Sequence, residues 1–252
     1  MRRYWVEKNQ IQGEEVQLSG DVFHHIIDVC RQSTGSIFEV LTEDHMAYLI
    51  ELVQVSKKTA VGKIKETRII EPPPRPHIHL ALSISRFPVM DAVVEKAVEM
   101  GVSSIQPFFS EYSFVRSDEK ISQNKLDRWD KIIRSATQQC GRGELMKMLP
   151  ALNFQDLKNK INQDTDFNGL FAYEGPSTLG IKDKLSEIRS KKHDINDFWI
   201  IVGSEGGFSS KEVDEMTSLG LHPVTLGQQV LRVETACIAL VSVLKYDFEL
   251  MK

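Results

Sequence analysis

Cysteine is scarce in this chain, and the three that occur, Cys30, Cys140 and Cys237, stand far apart and in no CxxC spacing. An odd number at such distances disfavours a disulfide framework or a zinc site and predicts a reducing, cytoplasmic location. Long apolar runs are also missing, since stretches such as 200–202 fall far short of the roughly 20 residues that a membrane span needs. The first residues lack the apolar core of a secretory signal. We therefore expect a soluble, intracellular protein with no membrane partner.

Positive charge is not in excess either, because 31 basic residues against 35 acidic ones leave a formal net charge of −4. This balance is unlike that of a generic nucleic-acid-binding protein. A local excess is present between Lys125 and Lys147, where six basic residues stand against three acidic ones. The overall acidity therefore does not exclude RNA as a partner. The remaining composition, 41% hydrophobic and 26% charged, excludes a disordered or collagen-like chain.

Proline is concentrated in one place, because four of the nine prolines lie in the segment 71–76. Proline lacks an N–H and biases its predecessor to extended backbone, so neither a helix nor a central strand can cross this segment. We predict a linker over 71–76 between a first domain, 1–70, and a second domain, 77–252. The first shows several short strand-like runs and one short helix, a pattern typical of a small barrel. The second alternates strands and helices, which predicts a parallel sheet covered on both faces.

Two local patterns within the second domain can be checked directly against a structure. The segment 125–140 has helical periodicity, with Leu126, Trp129 and Ile133 on its predicted apolar side. Ser209 and Glu212 have the spacing of a capping box, which predicts the start of another helix.

One pair of histidines raises the question of a metal. His77 and His79 stand two apart in a predicted strand, but no third ligand has suitable spacing. We therefore predict no metal site.

Three segments follow predicted strands of the second domain and combine glycine with acidic or basic residues. They are the segments 171–175, 201–209 and 226–236. Glycine lets backbone approach a ligand closely, and ligands of parallel sheets bind beyond the carboxyl ends of the strands. The spacing fits neither GxGxxG nor GxxxxGK[ST], so the common nucleotide-binding motifs are excluded. Each segment alone is equally consistent with a tight turn or a helix start.

Together these segments resemble the signature loops of a known family. Gly203-Ser204-Glu205-Gly206-Gly207-Phe208 and Leu226-Gly227-x-x-Val230-Leu231-Arg232-x-Glu234-Thr235-Ala236 are similar to loops of the RsmE family of ribosomal RNA uridine-N3 methyltransferases, which belongs to the SPOUT superfamily. The segments 24–31, 96–102 and 128–142 also resemble that family, in the same order along the chain. The proline-rich segment falls where the family joins its two domains.

The resemblance implies a fold, a cofactor and a reaction. The fold is α/β: a C-terminal SPOUT domain with a parallel sheet and a deep trefoil knot, which is rare among proteins, preceded by a small PUA-like β-barrel that binds RNA. The reaction is S-adenosylmethionine-dependent methylation of N3 of a specific uridine in 16S ribosomal RNA, either free or in the assembling small ribosomal subunit. The resemblance also implies a homodimer with the final helices at the interface.

The resemblance also suggests which residues form the sites. The implied cofactor-binding residues are Tyr173, Glu174, Val202, Gly203, Gly206, Gly207, Leu226, Gly227, Val230, Leu231 and Thr235. Because N3 of uracil carries a proton, the reaction needs a cation or a base, for which Arg232 and the acids Glu205 and Glu234 respectively are the candidates. Either acid could equally be a helix-terminal residue. The expected RNA-binding residues are Arg3, His24, Arg31, Arg86, Lys96, Lys125, Arg128, Lys131, Arg134 and Arg142.

Three positions depart from the family's usual residues, with Ser204 in place of Pro, Gln229 in place of Arg and Val233 in place of Thr. The glycines are all present, so we expect activity to survive. Two alternatives stay open. One is a SPOUT methyltransferase acting on another ribosomal or transfer RNA nucleotide, and the other is a non-catalytic RNA-binding relative, which Ser204 and Gln229 would favour.

Overall fold

The computed structural model of the protein describes residues 3–175, 179–191 and 194–251. The chain packs as two units. The first comprises Met1–Pro72 together with Arg134–Leu145, and the second comprises Pro73–Ile133 and Met146–Lys252. The first boundary lies within the proline-rich segment, where backbone donors are missing and secondary structure is interrupted.

The first unit contains a six-stranded sheet. Its strands are β1 (Arg3–Trp5), β2 (Ile11–Gln12), β3 (Glu15–Ser19), β4 (Ile37–Leu41), β5 (Met46–Val55) and β6 (Thr59–Ile69). They lie in the order β1-β4-β5-β6-β3-β2. β1 pairs with β4 in parallel, and the other described pairs are antiparallel. A short helix, α1 (Gly20–Phe23), and the π-helical turn His24–Val29 follow β3. Leu18, Phe38 and Ile50 are among the fully buried core residues.

The second unit contains an eight-stranded sheet in which every described pair is parallel. Its strands are β7 (His77–Ser83), β8 (Ser104–Phe109), β9 (Lys147–Met148), β10 (Leu152–Asn153), β11 (Gly169–Ala172), β12 (Leu179–Gly180), β13 (Asp197–Val202) and β14 (Pro223–Thr225). The order is β10-β8-β7-β13-β11-β14-β12, and β9 also pairs with β8. The predicted parallel sheet is confirmed.

Six helices of the described chain follow or connect these strands. They are α2 (Phe87–Glu99), α3 (Gln123–Cys140), α4 (Phe154–Gln163), α5 (Ile181–Lys191), α6 (Ser210–Ser218) and α7 (Val233–Asp247). Consecutive residues Leu80, Ala81 and Leu82 of β7 are all buried, so both faces of this strand are covered, as the α/β pattern predicts. None of the helices described is both long and apolar enough to cross a membrane.

Helix α3 is where the predicted apolar side is partly wrong. Trp129 and Ile133 are buried, and the Trp129 indole N–H donates a 3.0 Å hydrogen bond to the Asp91 carboxylate on α2. Leu126, by contrast, remains 42% exposed. Periodicity identifies the apolar face of a helix. It does not show which residues of that face are packed against another element.

The predicted capping box at the start of α6 is confirmed. The Ser209 hydroxyl accepts from the Glu212 N–H, and the Glu212 carboxylate accepts from the Ser209 N–H at 3.0 Å. The other oxygen of this buried carboxylate accepts the Glu111 N–H at 2.8 Å. Glu212 therefore fastens the loop after β8, residues 110–114, to the beginning of α6.

Replacing Glu212 by alanine is expected to lower the free energy of unfolding by about 2–3 kcal/mol, because buried backbone donors lose their acceptor. Chemical denaturation followed by circular dichroism measures this loss. Asp214→Ala on the exposed side of the same helix is the matched control and should change stability by less than about 0.5 kcal/mol. Equal values for the two variants would show that the Glu212 contacts contribute little.

Candidate functional site

Three loops meet where three adjacent strands of the second unit end. β11 lies between β13 and β14 and pairs with both in parallel, so their carboxyl ends share one edge of the sheet. A pocket opens between the loops that follow them. Its lining is Ala172, Tyr173, Glu174, Val202, Gly203, Ser204, Gly207, Val224, Thr225, Leu226, Gln229, Val230, Leu231, Val233 and Ala236. The wall combines apolar side chains with polar ones, among them Glu174 and Thr225, which suits an organic ligand that has both a flat, apolar part and charged groups.

The loop after β13, residues 203–207, has a backbone that excludes side chains at two positions. Gly207 has a φ of +67°, and its N–H donates to the Ser204 carbonyl at 2.9 Å to close a tight turn. A Cβ on Gly203 would lie 3.0 Å from the carbonyl carbon and oxygen of Gly207. At this turn the pocket wall consists of backbone without side chains. The N–H and C=O groups there are therefore accessible to a ligand.

Ser204, which replaces the family's usual proline, anchors this turn by its side chain. Its hydroxyl donates a 2.6 Å hydrogen bond to the Tyr112 carbonyl in the loop 110–114. Ser204 is itself buried. The substitution therefore exchanges the fixed φ of proline for a hydrogen bond to a neighbouring loop.

The loop after β14 is held by a threonine. The Thr225 hydroxyl donates to the Gly227 carbonyl at 2.8 Å and accepts from the Gly227 N–H at 3.2 Å. Gly227 has a φ of +135°, a conformation that residues with a Cβ rarely adopt. Val230 follows with 72% of its surface exposed, although it lines the pocket. An apolar side chain so exposed at a pocket entrance can cover the apolar part of a ligand.

Most of the predicted cofactor-binding residues line this pocket, and three do not. Gly206, Gly227 and Thr235 are neighbours in sequence of lining residues but are not part of the wall. Gly206 has a different reason to lack a side chain, because its Cβ would lie 2.7 Å from the Cβ of Tyr112. Thr235 lies on an exposed face of the first turn of α7.

The three candidate catalytic residues surround the pocket rather than line it. Arg232 is the residue before α7, and it is exposed in extended backbone between the lining residues Leu231 and Val233. Glu234 is half-buried in the first turn of α7. The Glu205 carboxylate accepts the Arg86 N–H at the start of α2, at 3.1 Å. Glu205 is therefore engaged at a helix N-terminus, one of the two interpretations that its sequence allows.

The buried Cys237 on α7, next to the lining residue Ala236, cannot act as a nucleophile. Burial, together with the charge of Glu234, raises the pKa of its thiol to about 12. The reactive form of cysteine is the thiolate, which is nearly absent at neutral pH for such a pKa. Cys237 is therefore unsuited to covalent catalysis at this pocket.

The predicted RNA-binding residues of the first unit are mostly engaged in internal contacts. Arg3 pairs with the Glu39 carboxylate at 2.8 Å, and His24 contacts Asp28 at 2.7 Å. Burial lowers the pKa of the Arg142 guanidinium. Arg31 is exposed with a φ of +54°, and Arg134 is half-buried.

The basic residues of the second unit divide into two groups. Arg128 pairs with Asp91 at 2.6 Å, and Lys96 pairs with Glu99 at 3.0 Å and Glu95 at 3.2 Å. The other group comprises Arg86 and Lys131, which are exposed, and Lys125, whose ammonium lies 4.6 Å from the centre of the Phe87 ring.

The two histidines of β7, His77 and His79, lie close to an acidic side chain. His79 contacts the Asp197 carboxylate at 2.9 Å and His77 lies 3.7 Å from it. Burial lowers the pKa of His79, although Asp197 opposes this effect. Within the described ranges, no cluster of three or more His, Cys, Asp or Glu has the geometry to hold a metal ion.

Sequence reasoning missed the aromatic residues that adjoin the glycine turn. Tyr112 and Phe114, in the loop 110–114, are 46% and 53% exposed. Phe87, at the start of α2, contacts Phe114 edge to face with the ring centres 5.7 Å apart. The available signal was two aromatic residues inside a short polar loop, which periodicity cannot distinguish from core residues.

Comparison with known proteins assigns the chain to a class. The family model for the RNA methyltransferase domain matches residues 71–245, which include all three pocket loops. The chain is therefore an RNA methyltransferase. Ribosomal RNA small subunit methyltransferase E of Bacillus subtilis is 30% identical to it over 256 residues, spanning 100% of this chain and 99% of that protein. The same enzyme of Buchnera aphidicola is 30% identical, over 98% of this chain and 93% of its own length.

A solved structure agrees with this assignment. Ribosomal RNA small subunit methyltransferase E of Neisseria gonorrhoeae, bound to S-adenosyl methionine, superposes with a TM-score of 0.82 at 26% identity, covering 98% of this chain and 97% of that one. The chain belongs to the ribosomal RNA small subunit methyltransferase E family. The family and the enzyme class predicted from the signature loops are thereby confirmed.

Proposed function

We propose that this enzyme transfers the methyl group of S-adenosylmethionine to N3 of a uridine in 16S ribosomal RNA. The observation that carries the proposal is the meeting of the Glu174, Gly203–Gly207 and Leu226–Leu231 loops at one pocket. These are the loops that resemble the uridine-N3 methyltransferases. The names of the relatives support ribosomal RNA of the small subunit as the substrate, and the Neisseria structure supports the cofactor.

The residues present fit S-adenosylmethionine. Apolar side chains of Leu226, Val230 and Leu231 can enclose the adenine ring, while the backbone of the 226–231 loop offers hydrogen bonds to its edge. Gly203 and Gly207 have no side chain to fill the pocket. A Cβ on Gly203 would meet the backbone of Gly207, and a Cβ on Gly207 would require a strained φ. Glu174 places a carboxylate in the wall, where it can pair with a positively charged ligand.

The reaction needs positioning and the loss of one proton. The bound cofactor supplies an electrophilic methyl carbon; a C–N bond forms to N3 as the bond from carbon to sulfur breaks, and the N3 proton leaves. Arg232 can stabilise the negative charge that uracil acquires when that proton departs. Glu234, half-buried beside it, is the better placed of the two acids to accept the proton, because Glu205 already accepts the Arg86 N–H.

The architecture belongs to the same proposal. We assign residues 1–70 to a PUA-like barrel that binds RNA, the 71–76 segment to a linker and 77–252 to a SPOUT domain with a deep trefoil knot. The six-stranded, mostly antiparallel sheet of the first unit supports the barrel, and the position of β14 between β11 and β12, with its loop leading into α7, supports the knot. The RNA-binding roles of the exposed Arg31, Arg86 and Lys131 and of the half-buried Lys125, and the cytoplasmic location, stay predictions.

The enzyme is expected to be a homodimer at micromolar concentration. Helix α7 is apolar on more than one face: Leu240 and Leu244 are buried, whereas Ile238, Ala239 and Val243 are only half-buried in the single chain. A second copy would cover this remaining apolar surface. Light scattering should give twice the 28.7 kDa mass of the chain. A monomer mass at that concentration would contradict the dimer.

Mass spectrometry of nucleosides from 16S ribosomal RNA tests the proposed function most directly. A strain without this gene should lack 3-methyluridine in that RNA, and the purified enzyme with S-adenosylmethionine should restore it. Persistence of 3-methyluridine at the normal level would contradict the proposal. Loss of a different methylated nucleoside would instead support a SPOUT enzyme with another target, and no loss together with RNA binding would support a non-catalytic relative.

A further inference from the structure

Three aromatic side chains stand beside the glycine turn and have no role in the pocket described above. Tyr112, Phe114 and Phe87 form what is here named the aromatic shelf. Tyr112 and Phe114 each expose about half of their surface, an unusual state for large aromatic residues within one short loop. Phe87 packs edge to face on Phe114 and carries the Lys125 ammonium 4.6 Å from its ring centre.

The shelf is continuous with the pocket. The Tyr112 carbonyl accepts the hydroxyl of the lining residue Ser204, at 2.6 Å. Gly206 approaches the same residue so closely that a Cβ there would lie 2.7 Å from the Cβ of Tyr112. Arg86, beside Phe87 in the chain, donates its N–H to Glu205 of the turn. The shelf therefore adjoins the turn that forms one wall of the pocket.

Hydrogen bonds of buried serine hydroxyls hold the backbone of the loop that carries Tyr112 and Phe114. Ser83 at the end of β7 contacts Ser110 at 2.6 Å and Ser113 at 2.9 Å, and all three are buried. The Ser113 hydroxyl also accepts the Ser110 N–H at 2.7 Å. The Phe114 N–H donates to the Ile84 carbonyl at 2.7 Å. Exposed aromatic rings on so firmly held a loop lose little conformational entropy when they bind.

Charge favours a nucleic acid as the occupant. Arg86 precedes Phe87 and Arg116 follows Phe114 by two positions, both exposed, and the Lys125 ammonium lies over the Phe87 ring. Glu111 and Glu205 also neighbour the shelf, so the named residues are three cations and two acids. Flat apolar rings interleaved with cations are the arrangement that binds unpaired bases by stacking and their phosphates by ion pairing. A base that receives a methyl group must itself be turned out of its stack, which deprives the flanking bases of a stacking partner.

We propose that the aromatic shelf stacks unpaired bases of the substrate RNA that flank the nucleotide held at the pocket, with Phe114 and Tyr112 as the main contacts. The proposal rests on the proposed RNA methyltransferase function and extends it to the residues that hold the RNA. It makes the shelf a substrate-positioning surface, separate from the cofactor loops.

Binding of a fluorescently labelled octauridylate to the full-length protein tests the shelf. Phe114→Ala and Tyr112→Ala are each expected to weaken RNA binding by about tenfold, the usual loss for one stacked base. Leu179→Ala is the control, because Leu179 is 45% exposed on β12, at the opposite end of the sheet from β8, and should leave affinity unchanged. Phe114→Trp should retain parental affinity and Phe114→Leu should not, because stacking needs a ring and not merely apolar surface.

Two further measurements separate the shelf from the proposed function. Affinity for S-adenosylmethionine by calorimetry should be equal in all variants, and methyl transfer to 16S ribosomal RNA should show a raised KM for Phe114→Ala. Parental RNA affinity and KM in Phe114→Ala would overturn the shelf while leaving the methyltransferase function intact. Conversion of Phe114→Ala to a monomer with unchanged RNA affinity would also overturn it and assign the surface to a second copy of the chain. Failure of the parent to methylate ribosomal RNA would overturn the proposed function, and the octauridylate series would still decide the shelf.

Discussion

Replacing Gly207 by valine is expected to weaken binding of S-adenosylmethionine by about a hundredfold or more, a loss of roughly 2.7 kcal/mol or more of binding free energy. Gly207 lines the pocket, and a Cβ there would lie 3.7 Å from the Glu174 carboxylate. The two γ-methyl groups of valine would occupy the space that a ligand of Glu174 needs. The φ of +67° adds strain that would distort the turn. Calorimetry with the purified protein measures the effect.

The control for this variant is a glycine that also has a positive φ but lies outside the pocket. Gly220, after α6, has a φ of +81° and no atom within 4 Å of its ideal Cβ position. Gly220→Val should therefore lose a similar stability, about 1–2 kcal/mol, and bind the cofactor like the parent. Parental affinity in Gly207→Val would mean that the 203–207 loop is only a turn. Equal weakening in both variants would mean that general destabilisation explains the result.

Replacing Arg232 by alanine is expected to reduce kcat by a factor of about 100–1000, the cost of removing one group that stabilises charge in a transition state. Arg232 is exposed and lies between two pocket-lining residues, Leu231 and Val233, but is not itself in the wall. Cofactor affinity should therefore change by less than about threefold, or 0.7 kcal/mol. Single-turnover transfer of a labelled methyl group to 16S ribosomal RNA separates this step from binding.

Two companion variants make the Arg232 result specific. Arg232→Lys keeps a cation but not the planar guanidinium, so part of the activity should return. Lys211→Ala removes a positive charge from the highly exposed surface of α6 and should retain parental kcat. A parental kcat in Arg232→Ala would remove the residue from the chemistry and leave Glu234 as the group to test next.

The pocket loops were predictable because their signals are local. Gly203 and Gly207 stand in a motif whose spacing can be read directly, and the structure places them where a Cβ would meet backbone or need a positive φ. The capping box of Ser209 and Glu212 was equally local and is present. The second contact of Glu212, with the Glu111 N–H, was not predictable, because it joins residues about 100 positions apart.

The exposure of the aromatic shelf residues was not predictable from the sequence either. Periodicity does not distinguish the exposed Phe114 from the buried Phe108, six residues earlier, although Phe114 lies in a short polar loop and Phe108 in a strand. A residue is exposed or buried according to which other elements pack on it, and this packing is decided by the tertiary structure. The exposed Leu126 on the predicted apolar side of α3 is a further example.

The sequence by itself determined the alternation of strands and helices, the proline-rich boundary and the three glycine-containing loops, because each depends on the backbone preferences of a few neighbouring residues. Only the tertiary structure decided that β11 lies between β13 and β14, and so that the three loops share one pocket. It also decided that Arg134–Leu145 packs with the first unit and that Glu205 bonds the start of α2. Strand order and long-range contacts follow from the packing of the whole core, which no local pattern encodes.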